Sequence, residues 1–252
     1  MKIQYCSDLH LEFPLNRDFL KANPIKPEGD VLLMAGDIIP FTRIEETGDF
    51  FNFLSDSFQH VYWVPGNHEY YGWDIGTRTG SFHEKVRSNL SLVNNTAIER
   101  DSVRLLFSTL WSKINPADGQ VIQKSMADFR LIRSHGRRIS LDDYDHLHEE
   151  CRAFLTRELE NRGGLRTIVV THHLPTFYNY PEKYKHSVLN TAFATELFDI
   201  IETSAVDHWI FGHNHEVVED FKIGTTTLTS NQLGYVEHNE HLKFSSNRLL
   251  SR

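Results

Sequence analysis

Short apolar runs recur at positions 3–6, 31–35, 61–64, 167–170 and 208–211, and each breaks off sharply into polar residues. Their length and their Val and Ile content suit strands buried on both faces. Between them the spacing changes to helical. Over 144–161, Tyr144, Leu147, Cys151, Phe154, Leu155 and Leu159 trace one helix face, and Gly163-Gly164 offers a stop. Further helices are predicted at about 45–58 and 192–202, while 216–224 and 225–230 alternate like antiparallel strands around Gly224. Strands alternating with helices, then a run of strands, predict an α/β core with mixed sheets. No linker, internal repeat or low-complexity segment divides the 252 residues, which predicts a single domain.

The polar residues that end the runs are not ordinary turn residues. They are Ser7-Asp8-Leu9-His10, Gly36-Asp37, Pro65-Gly66-Asn67-His68-Glu69, Thr171-His172-His173 and Gly212-His213-Asn214-His215. In α/β folds ligands gather beyond the carboxyl ends of the strands, where all of these clusters fall. On an extended backbone, residues two apart point to the same side, so His213 and His215 would face one volume.

Composition narrows the setting. At 40% hydrophobic and 12% aromatic residues the chain can build a sizeable core. Its formal charge of −8 argues against bulk binding to nucleic acid or anionic membrane, leaving room only for a local basic patch. Cys6 and Cys151 cannot form a disulfide framework or a Cys-rich zinc site, and Cys6, inside a core strand, reads as a buried reduced thiol. The start of the chain lacks the pattern of a signal peptide, and no stretch has the apolar length of a membrane span. A soluble cytoplasmic protein is expected.

Asp8, His10, Asp37, Asn67, His68, His172, His173, His213 and His215 form an oxygen and nitrogen set without thiolate, which suits Mn, Fe, Zn or Co. Seven candidate ligands exceed what one four-coordinate zinc takes, and fit two metals sharing a carboxylate. Such a pair can clamp the attacking and leaving oxygens of an in-line displacement at phosphorus and acidify a bound water. Each cluster alone has a plainer explanation as a turn or a solvated pair; their recurrence at five strand ends argues against that. The plainer explanation holds elsewhere. "HLHEEC" at 146–151 has Arg152 where a helical zinc motif needs its second His, so His146, His148, Glu149 and Glu150 are expected largely on the solvated side. His60, His83, His186, His208, His238 and His241 carry no partner pattern, and no phosphate loop or nucleophile elbow is present.

D-x-H at 8–10, Gly36-Asp37, Gly66-Asn67-His68-Glu69, His172 and Gly212-His213-Asn214-His215 resemble the five ordered motifs of the calcineurin-like metallophosphoesterase superfamily. "STLWSK", "MADFRLIR" and "THHLPTF" further resemble an uncharacterised bacterial subgroup. The resemblance implies a four-layer α/β/β/α sandwich of two mixed β-sheets with a dinuclear metal centre. By motif, Asp8, His10 and His215 hold one metal, Asn67, His172 and His213 the other, and Asp37 bridges them. His68 contacts the phosphoryl oxygens and protonates the leaving group, with Glu69 orienting it. His172, directly after its strand, is taken as the ligand; His173 either touches substrate or packs. Two departures stand out: Ile38-Ile39-Pro40 follows Gly-Asp, and Asn231-Gln232-Leu233-Gly234-Tyr235 lacks the arginine common in the subgroup.

The expected activity is metal-dependent hydrolysis of a small phosphate mono- or diester by a hydroxide held on two divalent or trivalent ions, Mn, Fe or Zn. The alternatives are a nuclease on the same fold, which needs a basic groove or a stacking platform for the strand, and a non-catalytic scaffold, which would be expected to lose ligands or His68. The hundred or so residues between His68 and His172 exceed one connection, so a cap insertion is expected at about 112–143. There Lys124, Arg130, Arg133, Arg137 and Arg138 form either a solvated face or a cap, with Arg130 the one to reach substrate.

Overall fold

The computed structural model describes residues 1–160, 164–204 and 206–251. Thirteen strands and seven α-helices are assigned among them. One sheet takes β1 (Ile3–Cys6), β2 (Val31–Ala35), β3 (His60–Val64), β4 (Phe82–Lys85) and β5 (Leu90–Asn94) in the order β1-β2-β3-β5-β4, parallel except for the edge strand β4. The second takes β6 (Thr96–Arg100), β7 (Val103–Ser108), β10 (Arg166–Thr171), β11 (His208–Phe211), β12 (Phe221–Ile223) and β13 (Thr226–Ser230) in the order β12-β13-β11-β10-β7-β6, with antiparallel strands at both edges. A short hairpin, β8 (Arg133–Ser134) and β9 (Arg137–Arg138), stands apart. The helices are α1 (Pro14–Ala22), α2 (Gly48–Ser57), α3 (Gly119–Ser125), α4 (Asp128–Leu131), α5 (Leu141–Glu160), α6 (Asn190–Phe193) and α7 (Phe198–Ser204).

The alternation of side chains along a strand sorts the core into layers. Val31, Leu33 and Ala35 of β2 meet Leu105, Phe107, Val170 and Ile210 of the other sheet in a dry seam between the sheets. The intervening Leu32 and Met34 point the other way, into the cluster that also holds Phe51 and Leu54 of α2. On the far side Leu106, Val169 and Trp209 face outward into a cluster with Phe154, Leu155 and Ile201 from α5 and α7. The chain is therefore an α/β/β/α sandwich of two mixed sheets, the architecture expected from the motif resemblance.

All five apolar runs form strands, and the six residues of the expected 144–161 face are buried on α5. Gly163, half of its expected stop, lies outside the described residues. Elsewhere tertiary contacts redraw the elements. The 45–58 helix begins only at Gly48, after a 3-10 stretch over Phe41–Thr47. The 192–202 helix is broken in two: Leu174 N–H donates to Phe193 and Thr195 N–H to Leu174. Glu196 then accepts the Phe198 N–H at 2.9 Å and opens α7. Residues 216–220 are not strand; only β12 and β13 flank the turn at Gly224. Six strands, β4 to β9, correspond to no element expected from the sequence pattern.

Candidate metal centre

The carboxyl ends of β1, β2, β3, β10 and β11 open on one place, and each delivers its polar cluster there. The delivery is not by extended backbone. Asp8, His10, Asp37, His213 and His215 have φ of 55°, 47°, 55°, 78° and 52°. Left-handed backbone at non-glycine residues costs energy and persists where the surrounding fold imposes it, commonly at functional sites. His213 and His215 thus share a volume through a kinked turn, which corrects the extended-strand reading. Glycine preceding a candidate ligand supplies room. A Cβ on Gly66 would lie 2.6 Å from His172 Nε2, and one on Gly212 2.5 Å from Asp8 Oδ2.

The candidate ligand atoms fall into two groups joined by one carboxylate. Asp8, His10, Asp37 and His215 converge, and Asp37, His172 and His213 converge, each within 4.8 Å. His10 Nε2 lies 2.9 Å from His215 Nε2 and 3.7 Å from Asp37 Oδ2. His172 Nε2 lies 3.4 Å from Asp37 Oδ1, 3.1 Å from Asn67 Oδ1 and 3.0 Å from His213 Nδ1.

The tautomers test whether a cation fits. His10 Nδ1–H donates to Glu12 at 3.0 Å, and His215 Nδ1–H to Glu240 at 2.8 Å. His172 Nδ1–H donates to the Ala35 carbonyl at 2.9 Å. With the Nδ1 protons fixed in this way, the Nε2 atoms of neutral rings carry bare lone pairs aimed at one another and at carboxylate oxygens. Without metal, protons must fill the gap. Burial alone would lower the His215 pKa, but hydrogen bonds to Asp8 and Glu240 raise it to about 10. Burial would likewise lower His172, and the Asp37 charge raises it to about 9. Cations in the two pockets relieve the same repulsion, so the donor set fits two metals.

Several supports were not legible in the motifs. Glu12, two residues beyond His10, accepts from His10 and also from His68 Nδ1–H at 2.8 Å. It therefore orients His68, the part expected of Glu69. Glu69 instead receives the backbone N–H groups of Gly66, Asp37 and Ile38 at 2.6, 3.0 and 2.7 Å, tying two ligand loops together. Burial, then the Asp37 charge, pushes its pKa up to about 8. Asp128, from the "MADFRLIR" stretch, accepts Asn67 Nδ2–H at 2.9 Å and Tyr71 O–H at 2.7 Å, fixing which way the Asn67 amide points. The Leu233–Tyr235 turn also contributes: Tyr235 stacks edge-on against His215, and its hydroxyl lies 3.4 Å from His68 Nε2.

Other expected residues are placed elsewhere. Arg130 is exposed and donates to the carbonyls of Lys124 and Ser125, so the structure does not bring it to the site. Arg137 forks onto Asp143. His173 is wholly buried between Trp111 and His213, 5.4 and 4.2 Å between ring centroids; it packs and does not line the cavity. His148 is buried too, against expectation, because its Nδ1–H donates to the Trp111 carbonyl at 2.7 Å. Cys6 and Cys151 are buried free thiols.

A cavity of about 350 Å³ opens over Asp37, Asn67, His68, His213 and His215. Ser125, Met126 and Ala127 supply part of its wall. Among the described residues no helix is long and apolar enough to cross a membrane.

Comparison with known proteins agrees with this geometry. The chain is 30% identical over 259 residues to an uncharacterised protein of Acanthamoeba polyphaga mimivirus, covering 92% of this chain and 91% of that one. Its fold matches a phosphopantetheinyl hydrolase from Mycobacterium tuberculosis with a TM-score of 0.73 at 17% identity, over 99% of this chain and 95% of that one. It also matches a dimetal phosphatase from Danio rerio with a TM-score of 0.50 at 13% identity, over 92% and 87% of the two chains. At those identities the two structures show a shared fold. Residues 1–217 match the family model of calcineurin-like phosphoesterases, and with that match the chain belongs to this family of metal-dependent phosphoester hydrolases.

Proposed function

We propose that the protein hydrolyses a phosphate mono- or diester of a small molecule with two transition-metal ions, Mn, Fe or Zn, held as the ligand groups suggest. Asp8, His10 and His215 would hold one ion, Asn67, His172 and His213 the other, and Asp37 both. The observation that carries the reading is the pair of ligand groups sharing Asp37 beside a buried His68 that points into a cavity. When bound, the ions neutralise charge on the phosphoryl group and acidify water.

The protein's own groups do the rest. Glu12 fixes the Nδ1 proton of His68, which aims Nε2 at the cavity beside the Tyr235 hydroxyl. A proton on that Nε2 can pass to the departing alcohol oxygen. Asp128 holds Asn67 with its carbonyl oxygen toward His172, and Glu69 keeps the Gly66 and Asp37 loops in register. The shared fold with a hydrolase and a dimetal phosphatase supports chemistry at phosphorus and transfers neither substrate. A nucleic-acid strand is disfavoured because no lysine or arginine among the described residues lines the cavity to neutralise its backbone. The retained His68 speaks against a scaffold. Two buried free thiols suit a cytoplasmic setting.

Protein stripped with chelator and reloaded with Mn, Zn or Fe should turn over 4-nitrophenyl phosphate or its bis-aryl diester. His68→Ala should keep its metal while losing about 10²–10⁴ in turnover, more for alkyl than for nitrophenyl leaving groups. Absence of turnover with every metal and ester, or an unimpaired His68→Ala, would overturn the reading.

A further inference from the structure

The charged groups that line the cavity are Asp37, Glu240 and the histidines of the metal end; the rest of its described lining is uncharged. That remainder is largely apolar and aromatic, with Tyr180, Tyr184, Met126, Leu189 and Phe193, beside the neutral polar groups of Ser125, Ser187 and Asn190. Among the described residues no lysine or arginine lines it, and two cations close by are engaged elsewhere. Lys183 Nζ pairs with Glu216 at 2.7 Å and sits 4.7 Å over the Tyr184 ring, while the Arg130 guanidinium donates to main-chain carbonyls. Glu240, the lining carboxylate besides Asp37 among the described residues, is held at the metal end by His215. Phosphate recognition is therefore confined to the metal end. A second phosphate or a carboxylate away from that end would lose its water and meet neutral side chains, with no lysine or arginine among the described lining residues to compensate. Flat or apolar groups find there what they need: ring faces to stack on and hydroxyls for a few directed hydrogen bonds.

We propose that the substrate carries a single phosphate group and that the body it places in this cavity is uncharged and largely apolar or aromatic, a second anionic group at its far end being selected against. This rests on the phosphoesterase reading above and narrows it.

A matched pair tests the idea: benzyl phosphate against para-xylylene bisphosphate, which adds a second phosphate across the same ring. With metal-loaded protein, kcat/KM should be lower for the bisphosphate by about ten- to a hundredfold, despite its twofold statistical advantage. The non-hydrolysable pair, benzylphosphonate and para-xylylenediphosphonate, should show the same order in calorimetric binding. Ser125→Lys, at an exposed position on the cavity wall, should narrow the gap several-fold by providing the missing cation, and Leu189→Lys offers a second route. Equal or better use of the bisphosphate by the unaltered protein overturns this inference and leaves the phosphoesterase reading intact. Failure to hydrolyse or bind either member overturns this inference alone if 4-nitrophenyl phosphate or its diester is turned over, and both readings if those esters are untouched as well. A gap that neither lysine changes refutes the assignment of selectivity to this wall.

Discussion

Glu12 provides the sharpest test of how the site is held. A single oxygen, Oε1, accepts from His10 Nδ1 at 3.0 Å and His68 Nδ1 at 2.8 Å, on a side chain 8% exposed. Both histidines draw the carboxylate pKa down to about 2 against the effect of burial, so the group is ionised throughout the working range. Hydrogen bonds to a charged acceptor contribute about 1.5–3 kcal/mol each. Glu12→Ala removes both. For His68, loss of that orientation corresponds to a fall of about 10- to 150-fold in kcat at saturating metal. For His10, loss of the partner behind a ligand should weaken affinity for its ion by about 10- to 100-fold. Glu12→Gln keeps an acceptor oxygen in place but neutral, with bonds of about half the strength, and should recover about half of each loss in free energy. Turnover of 4-nitrophenyl phosphate and benzyl phosphate, measured beside metal titration, separates the two effects. A Glu12→Ala protein whose kcat stays within about twofold at saturating metal would refute the positioning argument, and a Gln variant as poor as Ala would move the weight from orientation to charge.

The shared carboxylate predicts that Asp37→Ala loses both ions, whereas independent sites would leave one; elemental analysis after removal of excess metal decides. Gly66→Ala should lower metal content although it changes no ligand, because the added Cβ meets His172 Nε2, and unchanged content would show that the loop can yield. Ser140 and Asp143 cap α5 reciprocally, Ser140 N–H to the carboxylate at 2.8 Å and Asp143 N–H to the hydroxyl at 3.2 Å, so Asp143→Ala should cost about 1 kcal/mol in urea unfolding. Burial would raise the Asp143 pKa, but Arg137 and Ser140 lower it well below the ordinary carboxylate value. Its contribution is therefore complete above about pH 4–5 and lost as pH falls through the native pKa, and the gap between wild type and variant should close in acid. A gap that widens in acid would reverse the assigned sign.

Much of this protein was written locally. Unbroken apolar runs ending in Asp, Asn and His fix five strands and the chemistry at their ends, because burial and ligand type are properties of single residues in sequence. The 3.6-residue spacing from Tyr144 to Leu159 likewise fixes α5. What local pattern does not contain is which side chains meet. Glu12 looks like one more surface acid until the chain brings His68 back beside His10. Asp128 becomes a support for Asn67 only because the segment between β7 and β10 brings it beside Asn67, and the same path leaves Arg130 outside. Glu69 and His173 lie within the motif stretches, yet the first is spent on backbone N–H groups and the second on packing. The left-handed turns at Asp8, His10, Asp37, His213 and His215 belong to the same class. No residue there prefers that backbone strongly enough to declare it; the conformation is imposed by contacts from strands that are distant in sequence, and only the tertiary structure supplies them.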